Sequence, residues 1–257
     1  MYREHAAPPP LAVPSPDAAA SHNAGMTPAF TWDVALRKSL RQAGSRFELD
    51  VRFQATAPRV VLFGPSGAGK TQTLRMIAGI VAPEQARVVV AGRVLCDTAQ
   101  GLQTSPQERR LAYVFQDYAL FPHLTVIQNV AFALRRGWRN PAKAIVDESV
   151  QRWITAFHLE AIAGHYPHQI SGGQRQRTAL ARALVTNPTA LLLDEPFAAL
   201  DKGLRERLRS ELRQLLDPLG LPMLLITHDD DDVRSLGEQV VYIEGGRVVD
   251  TPGTRPD

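Results

Sequence analysis

The chain has 257 residues, enough for one large domain or for a domain with a subdomain. Its hydrophobic content of 44% is that of a protein that buries a core, and its net charge of +3 is mild enough for an ordinary solvated surface. The single cysteine, Cys96, excludes a disulfide framework and a cysteine metal site, and no run of about 18 apolar residues is present to span a bilayer. A cytosolic setting fits, and a membrane role needs a partner protein.

The N-terminal segment is rich in proline and alanine, and its apolar cluster Leu11-Ala12-Val13 is too short for the core of a signal peptide. We expect residues 1–30 to form a disordered tail. Apolar and charged residues then alternate from Phe47 to Phe53, which predicts a half-buried strand. Together with Trp32–Leu40, this strand predicts an antiparallel hairpin that turns near residues 42–44.

A glycine-rich loop lies between the apolar run Arg59–Phe63, a predicted buried strand, and the predicted helix Thr71–Ile80. The loop fits G-x-x-x-x-G-K-[ST], whose glycines let backbone N–H groups surround phosphate oxygens. In such a loop Lys70 reaches the β- and γ-phosphates and the Thr71 hydroxyl binds Mg²⁺. A flexible loop of small residues is the alternative. The predicted phosphate-binding residues are Gly64, Pro65, Ser66, Gly67, Ala68, Gly69, Lys70 and Thr71.

Two further strand regions follow the loop. Ala86–Val94 predicts a strand pair that turns at Gly92, and Leu111–Phe115 predicts a strand that ends at Gln116. An amide at the carboxyl edge of a sheet can contact both Mg²⁺ and an attacking water, although a capped strand end is the alternative. The segment Tyr118–Val126 is apolar for a loop, which favours either core packing or docking of another protein.

A helical region is predicted next, because Pro141–Tyr166 has helical periodicity, and we assign about residues 129–175 to an inserted helical subdomain. Ser171 then serves as the N-cap of a long helix. Capping does not explain the two glycines that follow, which destabilise a helix, whereas close approach of the backbone to an anion does. The predicted anion-binding residues here are Ser171, Gly172, Gly173 and Gln174.

Adjacent carboxylates end a buried strand at Ala190–Leu193. Asp194 fits a residue that holds Mg²⁺ through water, and Glu195 fits the group that polarises the attacking water. A charged strand end at the surface is the alternative. The next buried strand, Met223–Thr227, ends in His228, and a single histidine is more often structural than catalytic. Because the carboxyl ends of parallel strands converge on one crevice, we expect these side chains to meet.

The remaining charged segments have simpler interpretations. Residues 202–216 form a predicted helix whose charges, including Arg205 and Arg209, indicate a solvated face. Asp229–Asp232 stand at the start of another helix, where carboxylates complement the helix dipole. Residues 240–249 predict a final hairpin.

From about Trp32 to Asp250 the chain resembles the ATPase subunit of an ATP-binding cassette (ABC) transporter, because six motifs occur in that family's order. These are the Walker A loop Gly64–Thr71, the Q-loop residue Gln116, the signature Ile170–Gln174, the Walker B strand Leu191–Glu195, the D-loop Ala198–Asp201 and the switch histidine His228. The resemblance implies an α/β fold: a RecA-like P-loop NTPase core with an antiparallel β-subdomain and an inserted helical subdomain. It places the ATPase domain at residues 31–257, and we expect no C-terminal regulatory domain.

The resemblance also implies that two identical cassettes pair head to tail around two ATP molecules with Mg²⁺. In one protomer, the nucleotide and metal are held by Lys70, Thr71, Gln116 and Asp194. From the other protomer, Ser171 and Gly173 contact the γ-phosphate. Catalysis is then assigned to Glu195, which polarises water, and to His228, Gln116 and Lys70. Where the family stacks adenine on an aromatic residue before Walker A, Arg41–Arg46 contains none, which leaves Phe47 or Arg41 for that role.

A separate ATPase chain resembles importer organisation, with transmembrane permease subunits as direct partners and a solute-binding protein as an indirect one. This places the chain at the cytoplasmic face of the plasma (inner) membrane. The stretch Gln107–His123 is similar to oxyanion and metal importers, and most similar to the molybdate importer ATPase; sulfate and ferric iron are alternative solutes. A soluble ABC ATPase acting on nucleic acid and a non-hydrolysing nucleotide-binding module are the competing hypotheses. We expect no nucleic-acid partner.

Overall fold

The computed structural model describes residues 30–42, 45–134, 140–141, 147–198 and 200–250. The predicted tail, apart from Phe30, therefore lies outside the described residues, as do the tip of the first hairpin and residues 251–257. The strands are β1 (Trp32–Gln42), β2 (Ser45–Ala55), β3 (Arg59–Phe63), β4 (Gln85–Val90), β5 (Arg93–Asp97), β6 (Leu102–Gln103), β7 (Leu111–Val114), β8 (Ala190–Asp194), β9 (Met223–Thr227), β10 (Gln239–Glu244) and β11 (Arg247–Val249).

Seven α-helices lie within the described residues: α1 (Lys70–Ile77), α2 (Pro106–Arg109), α3 (Val126–Phe132), α4 (Glu148–Ala156), α5 (Gly172–Leu184), α6 (Lys202–Leu216) and α7 (Asp230–Leu236). Four single-turn 3₁₀ helices accompany them at Thr98–Gln100, Glu160–Ile162, Pro167–Gln169 and Asp217–Leu219. In this part of the chain no helix combines the length and the apolar character needed to cross a membrane.

The described strands form one sheet in the order β6-β5-β4-β1-β2-β11-β10-β3-β9-β8-β7. The predicted hairpin is confirmed, since β1 and β2 pair antiparallel from Trp32 opposite Ala55 to Gln42 opposite Ser45. The predicted pair turning at Gly92 is also confirmed. Ala91 and Gly92 both have positive φ, 49° and 76°, as the tightest hairpin turns require.

The other half of the sheet is parallel, with β3 between β10 and β9, then β8 and β7. Alternation along these strands sends side chains to both faces. Val61, Leu193 and Leu225 pack with α3 to α6 on one face, whereas Leu62 and Leu224 join α1 and the antiparallel strands on the other. Burial on both faces explains why the strands are continuous apolar runs.

The helical region differs from the prediction in its details. Helix α3 begins at Val126, earlier than residue 129, because Thr125 and Gln128 form a capping box. The predicted periodicity of Pro141–Tyr166 corresponds to the single helix α4 and to 3₁₀ turns, and residues 142–146 lie outside the described residues. Gly164 lies between the two 3₁₀ turns, and Pro167 begins the second of them. Both residues disfavour a continuous helix.

A buried arginine fixes the end of helix α1. The fully buried Arg109 donates from Nη1 to the carbonyls of Met76 and Ile77, at 2.8 and 2.6 Å, and from Nε to the Thr104 carbonyl at 3.2 Å. Its positive charge complements the C-terminal end of the helix dipole. A Cβ on Gly79 would lie 2.7 Å from Arg109 Nε, so a glycine is needed beside it. Arg109 therefore orients the helix that carries Lys70 at its other end.

We expect Arg109→Gln to lower the free energy of unfolding by about 2–4 kcal/mol, because buried carbonyl groups lose their donors. Urea denaturation followed by tryptophan fluorescence measures the change. The matched control is Arg110→Gln, since the neighbouring Arg110 is exposed and its side chain donates to the Asn187 carbonyl at 3.4 Å. Equal unfolding midpoints for the two variants would contradict the capping role of Arg109.

Candidate nucleotide-binding site

The glycine loop between β3 and α1 adopts a conformation that its glycines permit. Gly67 and Gly69 have φ values of 82° and 100°, a region that residues with a Cβ rarely enter. A Cβ on Gly64 would lie 2.0 Å from the Ile243 carbonyl oxygen, so the loop also packs against strand β10. Pro65, Ser66 and Gly67 are exposed at its tip.

The side chain of Lys70 folds back over this loop. Its buried ammonium donates to the carbonyls of Gly64 and Pro65, at 2.7 and 2.9 Å. Burial lowers the pKa of Lys70, while Glu195 and Asp194 act in the opposite direction. A cation that is partly stripped of water and held by two neutral carbonyls is well placed to bind an anion at the loop.

Asp194 ends strand β8 and is 3% exposed. The Thr71 hydroxyl donates to its Oδ1 at 3.0 Å, and the Tyr113 hydroxyl donates to its Oδ2 at 2.9 Å. Burial raises the pKa of Asp194, and these two hydrogen bonds oppose that shift. The structure thus joins Thr71 and Asp194, two of the three predicted Mg²⁺-binding residues, although they lie far apart in sequence. Hydroxyl and carboxylate oxygens are the ligands that Mg²⁺ prefers.

Glu195 and His228 also come together. The Glu195 Oε2 lies 3.3 Å from His228 Nδ1, with the histidine side chain 57% exposed. Glu195 has a φ of 46°, which costs a residue with a Cβ on the order of 1 kcal/mol, and its N–H donates to the Ile226 carbonyl at 3.0 Å. This turn sends the carboxylate away from β8 and towards the histidine.

Gln116 is exposed in the turn that directly follows β7. Two left-handed residues, Tyr118 and Ala119, with φ values of 63° and 43°, continue that turn. Arg182 of α5 donates to the carbonyls of both residues at 2.7 Å. The turn that carries Gln116 is therefore fixed to the helix that begins at the signature motif.

The signature motif forms the start of α5, where Ser171 and Gln174 make a reciprocal capping box. Gly173 has a packing role beyond the anion contact expected from the sequence, because a Cβ there would lie 3.2 Å from the Leu204 side chain of α6. Ser171 is exposed. Among the described residues, no hydrogen bond joins this motif to the glycine loop of the same chain.

The ABC transporter family model matches residues 50–198 of the chain, which is more than half of it. This chain belongs to the ABC transporter family. The matched range contains the glycine loop, Gln116, the signature motif and Asp194-Glu195.

Several relatives of this ABC protein are named as import ATP-binding proteins. The sulfate/thiosulfate import ATP-binding protein CysA of Caulobacter vibrioides is 41% identical over 222 residues, which are 84% of this chain and 63% of the relative. A probable sulfate/thiosulfate import ATP-binding protein of Chlorella vulgaris is 40% identical, over 84% of this chain and 87% of its own length. The trehalose/maltose import ATP-binding protein MalK of Thermococcus litoralis is 39% identical, over 73% of this chain and 50% of its own length. The chain thus spans about half to two thirds of the bacterial and archaeal proteins.

Solved structures agree on the fold. The dimeric ATP-binding cassette MJ0796 bound to ADP and Pi aligns with a TM-score of 0.68 and 29% identity, over 84% of this chain and 96% of that one. A second dimeric structure of MJ0796 gives a TM-score of 0.69 and 28% identity. The predicted α/β cassette fold, with its antiparallel strands and additional helices, is confirmed.

ABC ATPases bind ATP with Mg²⁺, and the residues of this cassette fit both ligands. The site offers a buried cation, an exposed loop tip and a hydroxyl–carboxylate pair. The Phe47 ring lies against the loop as well, since a Cβ on Gly69 would be 3.4 Å from its edge. The side chain of Arg41, the other candidate for adenine stacking, lies outside the described part of the chain.

Tyr113 is the residue of this site that sequence reasoning missed. An aromatic side chain in a strand ordinarily indicates packing, and Tyr113 does pack on Phe115 with ring centroids 4.4 Å apart. Its hydroxyl, however, donates to Oδ2 of Asp194, whereas Thr71 donates to Oδ1. Partners of this kind orient a metal ligand.

We expect Tyr113→Phe to raise the Mg²⁺ concentration for half-maximal ATP binding about 10-fold, because such orienting bonds typically change metal affinity 10- to 100-fold. Magnesium titration with a fluorescent ATP analogue measures it. Tyr242→Phe is the matched control, since that ring packs edge-on against Phe63 at 5.9 Å, away from Asp194. An unchanged magnesium requirement in Tyr113→Phe would remove Tyr113 from this role.

Proposed function

We propose that the chain is an ATP-hydrolysing subunit that drives a membrane importer and that a second copy completes its site. The observation that carries this proposal is the convergence of Lys70, Thr71, Asp194, Glu195 and His228 at the carboxyl ends of β3, β8 and β9. A non-hydrolysing nucleotide-binding module would not need a carboxylate held in a strained turn beside a histidine.

Bound Mg-ATP supplies the phosphoryl group and the metal charge that offsets its anionic oxygens. Lys70 would bind phosphate oxygens in exchange for its two loop carbonyls, and Thr71 and Asp194 would hold the metal. Glu195 polarises the attacking water as a general base. His228 contacts this carboxylate and keeps its orientation. Gln116, on the turn fixed by Arg182, would supply a further contact to the metal and the attacking water.

The second copy supplies the signature motif. Ser171 is exposed at the start of the 13-residue helix α5, whose first N–H groups attract anions. The dimeric state of MJ0796 supports pairing of two cassettes. Hydrolysis then requires two chains, because within the described residues of one copy no hydrogen bond joins the glycine loop to the signature motif.

The proposed partners are the permease subunits of an importer and, through them, a solute-binding protein, at the cytoplasmic face of the inner membrane. The relatives named as import proteins support this. The docking surface that we assign to the permease lies after Gln116, where Pro122 and His123 are exposed and Phe121 is half-buried. The Arg182 guanidinium carbon lies 5.8 Å from the centre of the Phe121 ring and so contacts this surface.

For the solute, we propose a tetrahedral oxyanion. The sulfate/thiosulfate names of several relatives support this class and favour sulfate within it, whereas molybdate rests on the resemblance of Gln107–His123 alone. With the permease and solute-binding protein reconstituted in vesicles, we expect sulfate to stimulate ATP hydrolysis more than molybdate does. Stronger stimulation by molybdate would identify molybdate as the solute instead, and stimulation by neither would overturn the oxyanion class.

We expect Glu195→Gln to lower turnover by about 10²–10⁴-fold while ATP affinity is kept, because an amide cannot accept the proton of the attacking water. Phosphate release and nucleotide titration measure the two quantities. The control is Glu244→Gln, an exposed residue at the end of β10. Wild-type turnover in Glu195→Gln would remove Glu195 from the general-base role.

A further inference from the structure

A cluster of charged side chains surrounds the loop that carries His228. Arg205 and Arg209 come from α6, whereas Thr227, Asp229 and Asp232 come from the end of β9 and the start of α7. We call these five residues the Arg–Asp cluster. The sequence predicts that the charges of α6 mostly form a solvated face, which is wrong for Arg209, whose side chain is 5% exposed, and holds only in part for Arg205, whose side chain is 27% exposed. Asp232, interpreted as a helix-end residue, is also buried.

The cluster fixes the residues on both sides of His228. Arg209 pairs with Asp232 through Nε and with Asp229 Oδ2 at 2.9 Å. The Thr227 hydroxyl donates to Asp232 Oδ2 at 2.5 Å and accepts from the Asp229 N–H at 3.0 Å. The backbone before and after His228 is thus tied to one buried guanidinium, while the His228 side chain itself extends into solvent beside Glu195.

Arg205 extends the cluster to a second segment. Its Nη1 pairs with Asp229 Oδ2 at 2.6 Å, and its Nη2 donates to the Leu200 carbonyl at 3.1 Å. Leu200 belongs to the D-loop segment 198–201, of which residue 199 lies outside the described residues. A single planar side chain therefore joins the D-loop segment to the histidine loop.

Ion pairs are a poor means of holding buried elements together if stability alone is required. Removing charges from water costs roughly what their attraction returns, and apolar side chains of similar size commonly stabilise a protein as well. Helix α6 also buries apolar Leu208 and Leu212 in the core, so an apolar side chain at the buried Arg209 position would match these neighbours on the same helix. What charged, forked side chains add is a defined orientation of the groups they bind.

We infer that the Arg–Asp cluster positions His228 against Glu195, and that Arg205 couples this position to the D-loop segment. The inference rests on the proposed function, in which segment 198–201 faces the second cassette. Arg205 and Arg209 are positioning residues: they act through His228 and the D-loop rather than on nucleotide. Movement of the D-loop on dimer formation then reaches His228 through the Asp229 carboxylate, so the hydrolytic site is assembled only when the second copy is bound.

The decisive variant is Arg205→Lys, which keeps the charge but replaces the rigid fork of Nη1 and Nη2 by one ammonium on a shorter, flexible side chain, so the bonds to Asp229 and to the Leu200 carbonyl lose their fixed relative geometry. We expect kcat to fall about 10- to 100-fold, as for small displacements of catalytic groups, with KM for ATP within about twofold. In a Glu195→Gln background, we also expect Arg205→Lys to weaken ATP-driven dimer formation, measured by size-exclusion chromatography. Thermal unfolding shows whether the variant remains folded.

Arg213→Lys is the matched control. Two turns further along α6, Arg213 likewise contacts a carboxylate, Asp217 at 3.7 Å, and a backbone carbonyl, that of Ser235 at 3.4 Å, but it touches neither loop. We expect wild-type kcat and dimer formation for it. Equal losses in both variants, or wild-type values in Arg205→Lys, would overturn the coupling. Absence of ATP hydrolysis by the wild-type protein in the same assay would instead overturn the proposed function.

Discussion

The hydrogen bond between the Thr71 hydroxyl and the Asp194 carboxylate joins the two halves of the nucleotide site, and much of the fold serves to make it. Thr71 stands in the first turn of α1 and Asp194 ends β8, so the bond forms only if the helix and the strand are both held in place. Arg109 fixes the far end of α1 through two of its carbonyls. Tyr113 holds the other oxygen of Asp194. A carboxylate buried this deeply needs such partners, because an unpaired charge is strongly disfavoured away from water.

Strand register explains why residues so distant in sequence meet. Phe63 pairs with Thr227, and Asp194 pairs with Ile226, so the residues that follow these strands emerge at nearly one level. Gly64 begins the phosphate loop, Glu195 begins a turn, and His228 begins the loop towards α7. A slip of one residue in any of these parallel pairings would send the next side chain to the opposite face of the sheet. The apolar runs that fill both faces of the sheet prevent that slip.

The sequence predicts the parts of this arrangement that depend on local pattern. Glycine spacing predicts the phosphate loop, apolar runs predict the parallel strands, and alternation predicts the first hairpin. The sequence does not predict contacts of residue types that commonly occur in two different environments, such as an arginine that is either solvated or buried in an ion pair. Arg209 has the spacing of a solvated helix face and is buried, because its partners lie on a strand end and a helix that only the fold brings near. Tyr113 is an aromatic residue in a strand whose hydroxyl matters only once β7 lies beside β8.

Backbone strain and buried charge are concentrated at the same edge of the sheet. Glu195, Tyr118 and Ala119 have left-handed backbones just after β8 and β7, and each belongs to a turn closed by identified hydrogen bonds. The Arg–Asp cluster lies after β9 at the same edge. Stability alone would not select these features, since glycines and apolar side chains would fold the same turns with less strain. They are explained together if each strand end must hold one polar side chain in a fixed direction, which is what hydrolysis of a bound triphosphate requires.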